Sequence, residues 1–211
     1  MTAFHRIHVH ACAILLAVAV TGIGRPTRVA AQTSAMPTAA MASAGPHLSD
    51  ADHDGQRDFD WMTGKWKASL KRLVKPLTGS TTWVSYEGTQ VTQSIWGGRA
   101  CMDEFSVNDP KSNLRIDALT VRLYNPKSRQ WSIYWANATN GNFSLPATVG
   151  GFKNGRGEFY DHEEWEGRMI LVRYVWSDIT PTSAHFEQAF STDGGKSWEV
   201  NWISDLTRVK E

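Results

Sequence analysis

The chain has 211 residues, with 22 basic against 21 acidic side chains, and 41% of it is apolar. That composition is too hydrophobic for a disordered chain, and a near-neutral balance does not steer a protein toward nucleic acid or anionic lipid. With only two cysteines it is not a disulfide scaffold either. The first ten residues carry Arg6 and three histidines, residues 11–20 (ACAILLAVAV) are unbroken apolar, and small residues lead to Val29-Ala30-Ala31. A basic start, a short apolar run and a small-x-small site predict a signal peptide over residues 1–31, cleaved after Ala31. The run is shorter than the roughly 20 residues of a bilayer span, so no stable membrane span is expected after cleavage. Cleavage would take Arg6, Arg25 and Arg28 from the 22 basic residues and no acid, leaving 19 against 21. Cys101 would be the one remaining cysteine, so an exported protein, periplasmic or secreted, would fold without an internal disulfide.

Residues 32–56 are rich in Ala, Ser, Thr, Pro, Gly and Asp without an apolar period, which predicts a disordered linker. Inside it, Asp50, Asp52, Asp54 and Gly55 match the first half of a calcium-binding loop. The twelfth position is Trp61 where a bidentate Glu is required, so a solvated acidic stretch is expected and no metal. The folded domain is expected over residues 57–211. It opens with a short helical turn around 58–62 that Gly64 ends.

From Lys65 the pattern alternates with period two. Strands are predicted at 65–73, 81–86, 89–96, 99–107, 115–124, 130–137, 147–153, 157–165, 169–177, 183–190 and 197–207, separated by turn residues such as Asn154-Gly155 and Glu166-Gly167. Ten or eleven strands on short links favour sequential antiparallel pairing. Closure into an up-and-down barrel removes the exposed edges of such a sheet, and a barrel of that size can keep an internal cavity. All ten tryptophans lie between Trp61 and Trp202, enough aromatic area for one core.

Gly64-Lys65-Trp66 ahead of the first strand resembles the G-x-W of lipocalins and related calycin barrels. The resemblance implies that Trp66 closes the barrel floor under a basic residue from the last strand, a place Arg208 can fill. Longer stretches, FDWMTGKW at 59–66, RLYNPKSRQWSIYWAN at 122–137, GRGEFY at 155–160 and HFEQAFSTDGGKSWEVNW at 185–202, are similar to a bacterial family of lipocalin-like proteins of unknown function. That resemblance spans Phe59 to Arg208 and implies a barrel with no assigned chemistry. Ser191 to Trp198 also resembles the Asp-box of sialidases and other β-propellers. Propeller blades repeat it every 40 residues or so, and one full copy in this chain predicts a turn device and not a glycosidase.

Histidine is scarce in the domain. His162 and His185 stand alone in strand patterns, and the stretch after His162 lacks the second His of a zinc helix. Some small calycin barrels bind haem through one histidine; a hydrogen-bonded strand residue is the reading adopted here, and no cofactor is expected. Cys101 lies between Ala100 and Met102 in a strand, which suits a buried inert thiol. Carboxylates occur as adjacent pairs, Asp103-Glu104 and Glu163-Glu164, so one of each must face inward on a regular strand. Around the Asp193-Gly194-Gly195 turn, placing Phe190 opposite Trp198 puts Phe186 across from Trp202 and Glu187 across from Asn201. That register pairs Glu187 with Asn201 on one face, a candidate lumenal polar pair, and groups Phe186, Trp198 and Trp202 on the other; which of the two faces points into the barrel stays open. The alternating faces of 115–124 and 130–137 are both part apolar, so which of them points inward stays open. The candidate ligand-binding residues are Arg122, Tyr124, Tyr134, Trp135, His162, Glu187, Asn201 and Trp202. Together they predict a lumen for a small, largely apolar or aromatic molecule and no nucleic-acid partner. The alternatives are a lyase, isomerase or hydrolase using Glu187 or His162 as acid–base, and a non-catalytic scaffold.

Overall fold

A computed structural model describes residues 54–210. The predicted signal peptide and nearly all of the predicted linker, with the first acids of the half calcium loop, lie outside the described residues. The period-two runs become ten antiparallel strands: β1 (Gly64–Leu73), β2 (Trp83–Ile95), β3 (Ala100–Asp109), β4 (Leu114–Asn125), β5 (Gln130–Asn137), β6 (Thr148–Lys153), β7 (Arg156–Trp165), β8 (Arg168–Ser177), β9 (Ser183–Ser191) and β10 (Glu199–Arg208). Each pairs with its sequence neighbour, and β1 closes the ring on β10, from Trp66 opposite Arg208 to Arg72 opposite Trp202. Closure leaves no edge strand to protect.

Two predicted strands, 81–86 and 89–96, are one. Gly88 between them is a place of close approach and not a turn: a Cβ there would lie 2.8 Å from the Ser106 carbonyl oxygen and 3.0 Å from Val107 on β3. Elsewhere the links behave as read. Asn154-Gly155 and Glu166-Gly167 both hold consecutive positive φ values, 52° with 75° and 49° with 79°, the two-residue mirror-image turn whose twist matches the strands it joins.

One end of the barrel is shut by aromatics. A single 3-10 turn at Asp60–Met62 carries the chain across that end and inserts Phe59 and Met62. Phe59 meets Trp131 and Phe152 edge-on, at centroid distances of 5.1 and 5.0 Å. Trp66 is fully buried and donates its indole N–H to the Met62 carbonyl at 2.7 Å, while Trp131 donates to the Gly55 carbonyl at 2.9 Å. The Arg208 guanidinium lies 4.1 Å over the Trp66 ring and donates to the carbonyls of Thr63, Trp61 and Pro181. Gly64 has φ 119°, and a Cβ on it would sit 2.7 Å from Arg208 Nη1, so the glycine of G-x-W makes room for the arginine that caps its tryptophan. The floor of the barrel is thus built from the residues the sequence nominated for it.

Candidate functional site

Above the floor the inner face is set by the burial alternation. On β4 the buried positions are Ile116, Ala118, Thr120, Arg122 and Tyr124, and on β5 the inward set runs through Trp131, Ile133 and Trp135. These faces enclose a cavity of about 300 Å³. Its walls are largely aromatic: Trp135 and Trp202 lie 6.5 Å apart with Phe105 about equally close to both, and Trp176 packs on Phe186 at 4.7 Å. Trp165 packs at a tilt against Phe190, at 5.0 Å, on the next stretch of wall.

Polar groups enter this lining at a few points. Arg122 and Asp103 form a buried ion pair, 4% and 2% exposed, through a short contact between Arg122 Nη1 and Asp103 Oδ1. Burial alone would lower the guanidinium's pKa; the Asp103 carboxylate and the Cys101 thiol more than offset it, so Arg122 stays charged. Its Cζ lies 5.1 Å over Phe59, so the pair rests on the floor, and its Nε has no partner among the described residues. Cys101 lies 4.0 Å from Arg122 Nη1, and burial pushes its thiol pKa up, which fits an inert buried cysteine. On β7 the inner face carries Asp161 and then Glu163. Asp161 is 8% exposed; its Oδ2 accepts from Thr148 Oγ1 at 2.7 Å and its Oδ1 has no partner. Burial raises the pKa of both acids, that of Glu163 to about 7, with the Asp161 charge adding to it. Ser204, 5% exposed, also lines the cavity with its hydroxyl unpartnered. Arg72 stands at the far rim, 4.9 Å over the Trp202 ring.

The eight sequence candidates divide. Arg122, Trp135 and Trp202 line the cavity. Tyr124 is inward but deeper, packed on Trp131 at 5.4 Å. Asn201 sits in the wall as the extra residue of a bulge between Val200 and Trp202, its carbonyl oxygen accepting from the lumenal Gln188 at 2.7 Å. Tyr134, His162 and Glu187 lie on the outer face. Tyr134 contacts Phe143 outside, His162 is exposed between the inward Asp161 and Glu163, and Glu187 shares the outer face with His185, whose other nitrogen bonds Asp205 at 2.6 Å. The expected pairing of Glu187 with Asn201 does not form: Glu187 faces Ile203, and Phe190 faces Glu199 in place of Trp198. Trp198 therefore joins the outer face, against Tyr160 and under Arg173 at 4.6 Å.

The cause lies in the turn. Asp193 accepts from the Ser197 amide and hydroxyl and from Ser191 Oγ, which holds its pKa well below the ordinary carboxylate range. That cage makes the link longer than a tight hairpin and moves the register by one. The bulge at Asn201 then moves it again. The adjacent-acid argument, by contrast, finds Asp103 and Glu163 inside with Glu104 and Glu164 outside. Gln90, Tyr174 and Gln188 line the cavity without having stood out in the sequence; parity from the buried Phe159 and the half-buried Phe186 is the cue that reaches the last two.

No family model and no curated protein matches the chain. Among solved structures it is similar to a redesigned β-barrel at 11% identity (73% of this chain, 96% of the other, TM-score 0.40). It is also similar to EF1p2_mFAP2b bound to DFHBI at 10% identity (74% and 99%, TM-score 0.40). A third is the S-type phycobiliprotein lyase CPES from Guillardia theta at 11% identity (72% and 91%, TM-score 0.47). No described helix is long and apolar enough to cross a membrane.

Proposed function

We propose that this protein is an exported, lipocalin-like barrel of the bacterial family its sequence resembles, and that it binds a small, largely aromatic molecule in its lumen. The observation that carries this reading is the cavity of about 300 Å³, at the small end of ligand pockets, with aromatic walls and a few convergent polar groups. A scaffold domain has no use for such a space, and filling it would add stability. Rings such as Trp135 and Trp202 supply contact area, while the polar side chains of Gln90, Gln188 and Glu163 in the lining can orient a guest. The acid–base alternative has to rest on Glu163, because Glu187 and His162 stand on the outer face.

Native mass spectrometry of the purified protein, followed by titration of aromatic compounds while tryptophan emission is read, tests binding. A retained or added ligand mass and a saturable emission change are expected. Ser204→Phe, which fills the cavity, should abolish both while the far-UV spectrum stays that of a barrel. A bare-chain mass and no emission change across the series would refute the reading. Export belongs to the proposal and rests on residues 1–31. N-terminal sequencing of the protein from the periplasm or medium should begin at Gln32, and an intact Met1 there would count against it.

A further inference from the structure

The charges that face the lumen are not balanced on both walls. Arg122 on β4 is neutralised by Asp103 on β3. On the β7 wall Asp161 and Glu163 stand two residues apart on the inner face, and the basic side chain between them, His162, points outward. Glu163, which lines the cavity, has neither a hydrogen bond nor an ion pair among the described residues, and the Oδ1 of the nine-tenths buried Asp161 is unpartnered. A fold gains nothing from a buried carboxylate oxygen without a donor, or from a half-buried lumenal carboxyl without a counter-charge, and such groups signal a missing partner. Beside Glu163 stand Trp165, the next inward residue on its own strand, and Asp161 below it, with Ile170 and Tyr174 on β8. Burial drives the Tyr174 phenol pKa upward, Glu163 and Asp161 adding to the shift, so it is a neutral ring. The remaining charged groups that line the cavity belong to other strands. They are the Arg122–Asp103 pair and, on β1 at the rim, Arg72, whose guanidinium is held over Trp202.

We infer that the lumen binds a small aromatic ammonium, its cationic head against Glu163, with the buried Asp161 charge behind it, beside Trp165 and Tyr174, and its ring among Trp135, Phe105 and Trp202. The inference rests on the lumenal binding reading and names its ligand class. An ammonium supplies the donors these carboxyls lack, and ring faces attract a cation that has left water. An anionic ligand would meet two acids; a neutral one would leave both unpaired. Glu163 is largely protonated in the empty lumen at pH 6, since burial raises its pKa to about 7. Binding of R–NH₃⁺ therefore displaces one proton from the Glu163 carboxyl to solvent, and the carboxylate left behind pairs with the ammonium.

The test uses three probes of one shape: 2-phenylethylammonium, neutral 2-phenylethanol and anionic 3-phenylpropanoate, titrated calorimetrically in buffers of different ionisation enthalpy. The cation should bind at least tenfold more tightly than either isostere. It should release close to one proton at pH 6 and tighten as pH rises toward 8. Glu163→Gln should erase both the proton release and the preference while still binding 2-phenylethanol. Equal or tighter binding of the alcohol or the acid overturns the ammonium inference and leaves the lumenal reading standing. Binding of none of the three, with the Ser204→Phe variant indistinguishable from the native protein, overturns both.

Discussion

Removing one member of the Arg122–Asp103 pair should be among the most damaging substitutions in the barrel, and removing both should not be. In Asp103→Leu the guanidinium stays buried at 4% exposure, with its Nε already unpartnered. Its remaining neighbours are the Cys101 sulfur at 4.0 Å and the Phe59 ring at 5.1 Å. The ring contributes about 1–2 kcal/mol to a desolvated cation, too little to replace a carboxylate. A buried charge left without its partner costs about 3–5 kcal/mol, whereas exchange of a whole buried pair for apolar groups of similar volume is often neutral or better. Asp103→Leu alone should therefore lower stability by about 4 kcal/mol. For a domain of this size that is a drop of roughly 2 M in the urea midpoint and about 8–16 °C in Tm. Arg122→Met should cost a similar amount, since it strands the carboxylate. The double variant should return to within about 1 kcal/mol of the native protein, a coupling of several kcal/mol. Urea unfolding followed by tryptophan emission measures all four corners of the cycle. A single variant that costs less than about 1 kcal/mol, or a double variant that costs the sum of the singles, would refute the view that the charges matter through each other.

Glu163 sets a pH dependence of the opposite kind. Its folded pKa of about 7 lies above the ordinary 4.5, so between those values the native state holds a proton that the unfolded chain has lost, and stability falls as pH rises through that window. Allowing for partial solvent screening, the fall should be about 1–2 kcal/mol, and Glu163→Gln should remove it, as denaturation at pH 5 and pH 8 will read; equal slopes in the two proteins would refute the assignment. At Gly150 a Cβ would lie 1.9 Å from the Glu158 carbonyl oxygen on the neighbouring strand. Gly150→Ala should thus cost about 3 kcal/mol or more by thermal melting, and a melt within 2 °C of native would show that the strands can part there. Arg208→Met should lose the guanidinium's hydrogen bonds to the carbonyls at the floor, cost about 2–3 kcal/mol and shift tryptophan emission to the red as water reaches Trp66. Arg208→Lys should recover little of this, because a point charge cannot bridge several carbonyls while lying flat on an indole.

The sequence reaches the barrel because alternation and turn chemistry are local. Asn154-Gly155 needs no tertiary knowledge to be read as a turn. The break expected between residues 86 and 89 does not form, because a glycine that yields space to β3 and a glycine that ends a strand look alike until the neighbour is known. The direction of the faces was harder for a different reason. The outer surface has aromatic cover of its own, Tyr134 with Phe143 and Trp198 with Tyr160, so hydrophobicity alone does not separate inside from outside on those strands. The last hairpin combines both difficulties. The caged turn and the bulge each move the register by one; together they restore parity, which is why Trp202 shares the inward face with Phe186 as the sequence suggested. Between the two shifts the parity is reversed, and Trp198 and Asn201 fall in that interval. Glu187 was assigned to the lumen through its supposed partner Asn201, and the assignment fails with the pairing.

The two inward acids that the adjacent-pair argument does reach have different fates, and the difference bears on function. Asp103 meets Arg122 on the neighbouring strand, and the pair rests on Phe59 at the floor, so its charge is settled by the fold before any ligand arrives. Glu163 has Trp165 and Asp161 beside it on β7 and Ile170 opposite on β8, none of them cationic. A charge already balanced cannot gain much from a guest, while an unbalanced carboxyl in an aromatic lumen gains a partner and loses a proton when a cation arrives. Selectivity for a guest should therefore follow Glu163, while stability follows Arg122 and Asp103. Substitutions at these two places should separate the properties cleanly, because the fold depends on the pair at the floor and leaves the β7 wall free to respond.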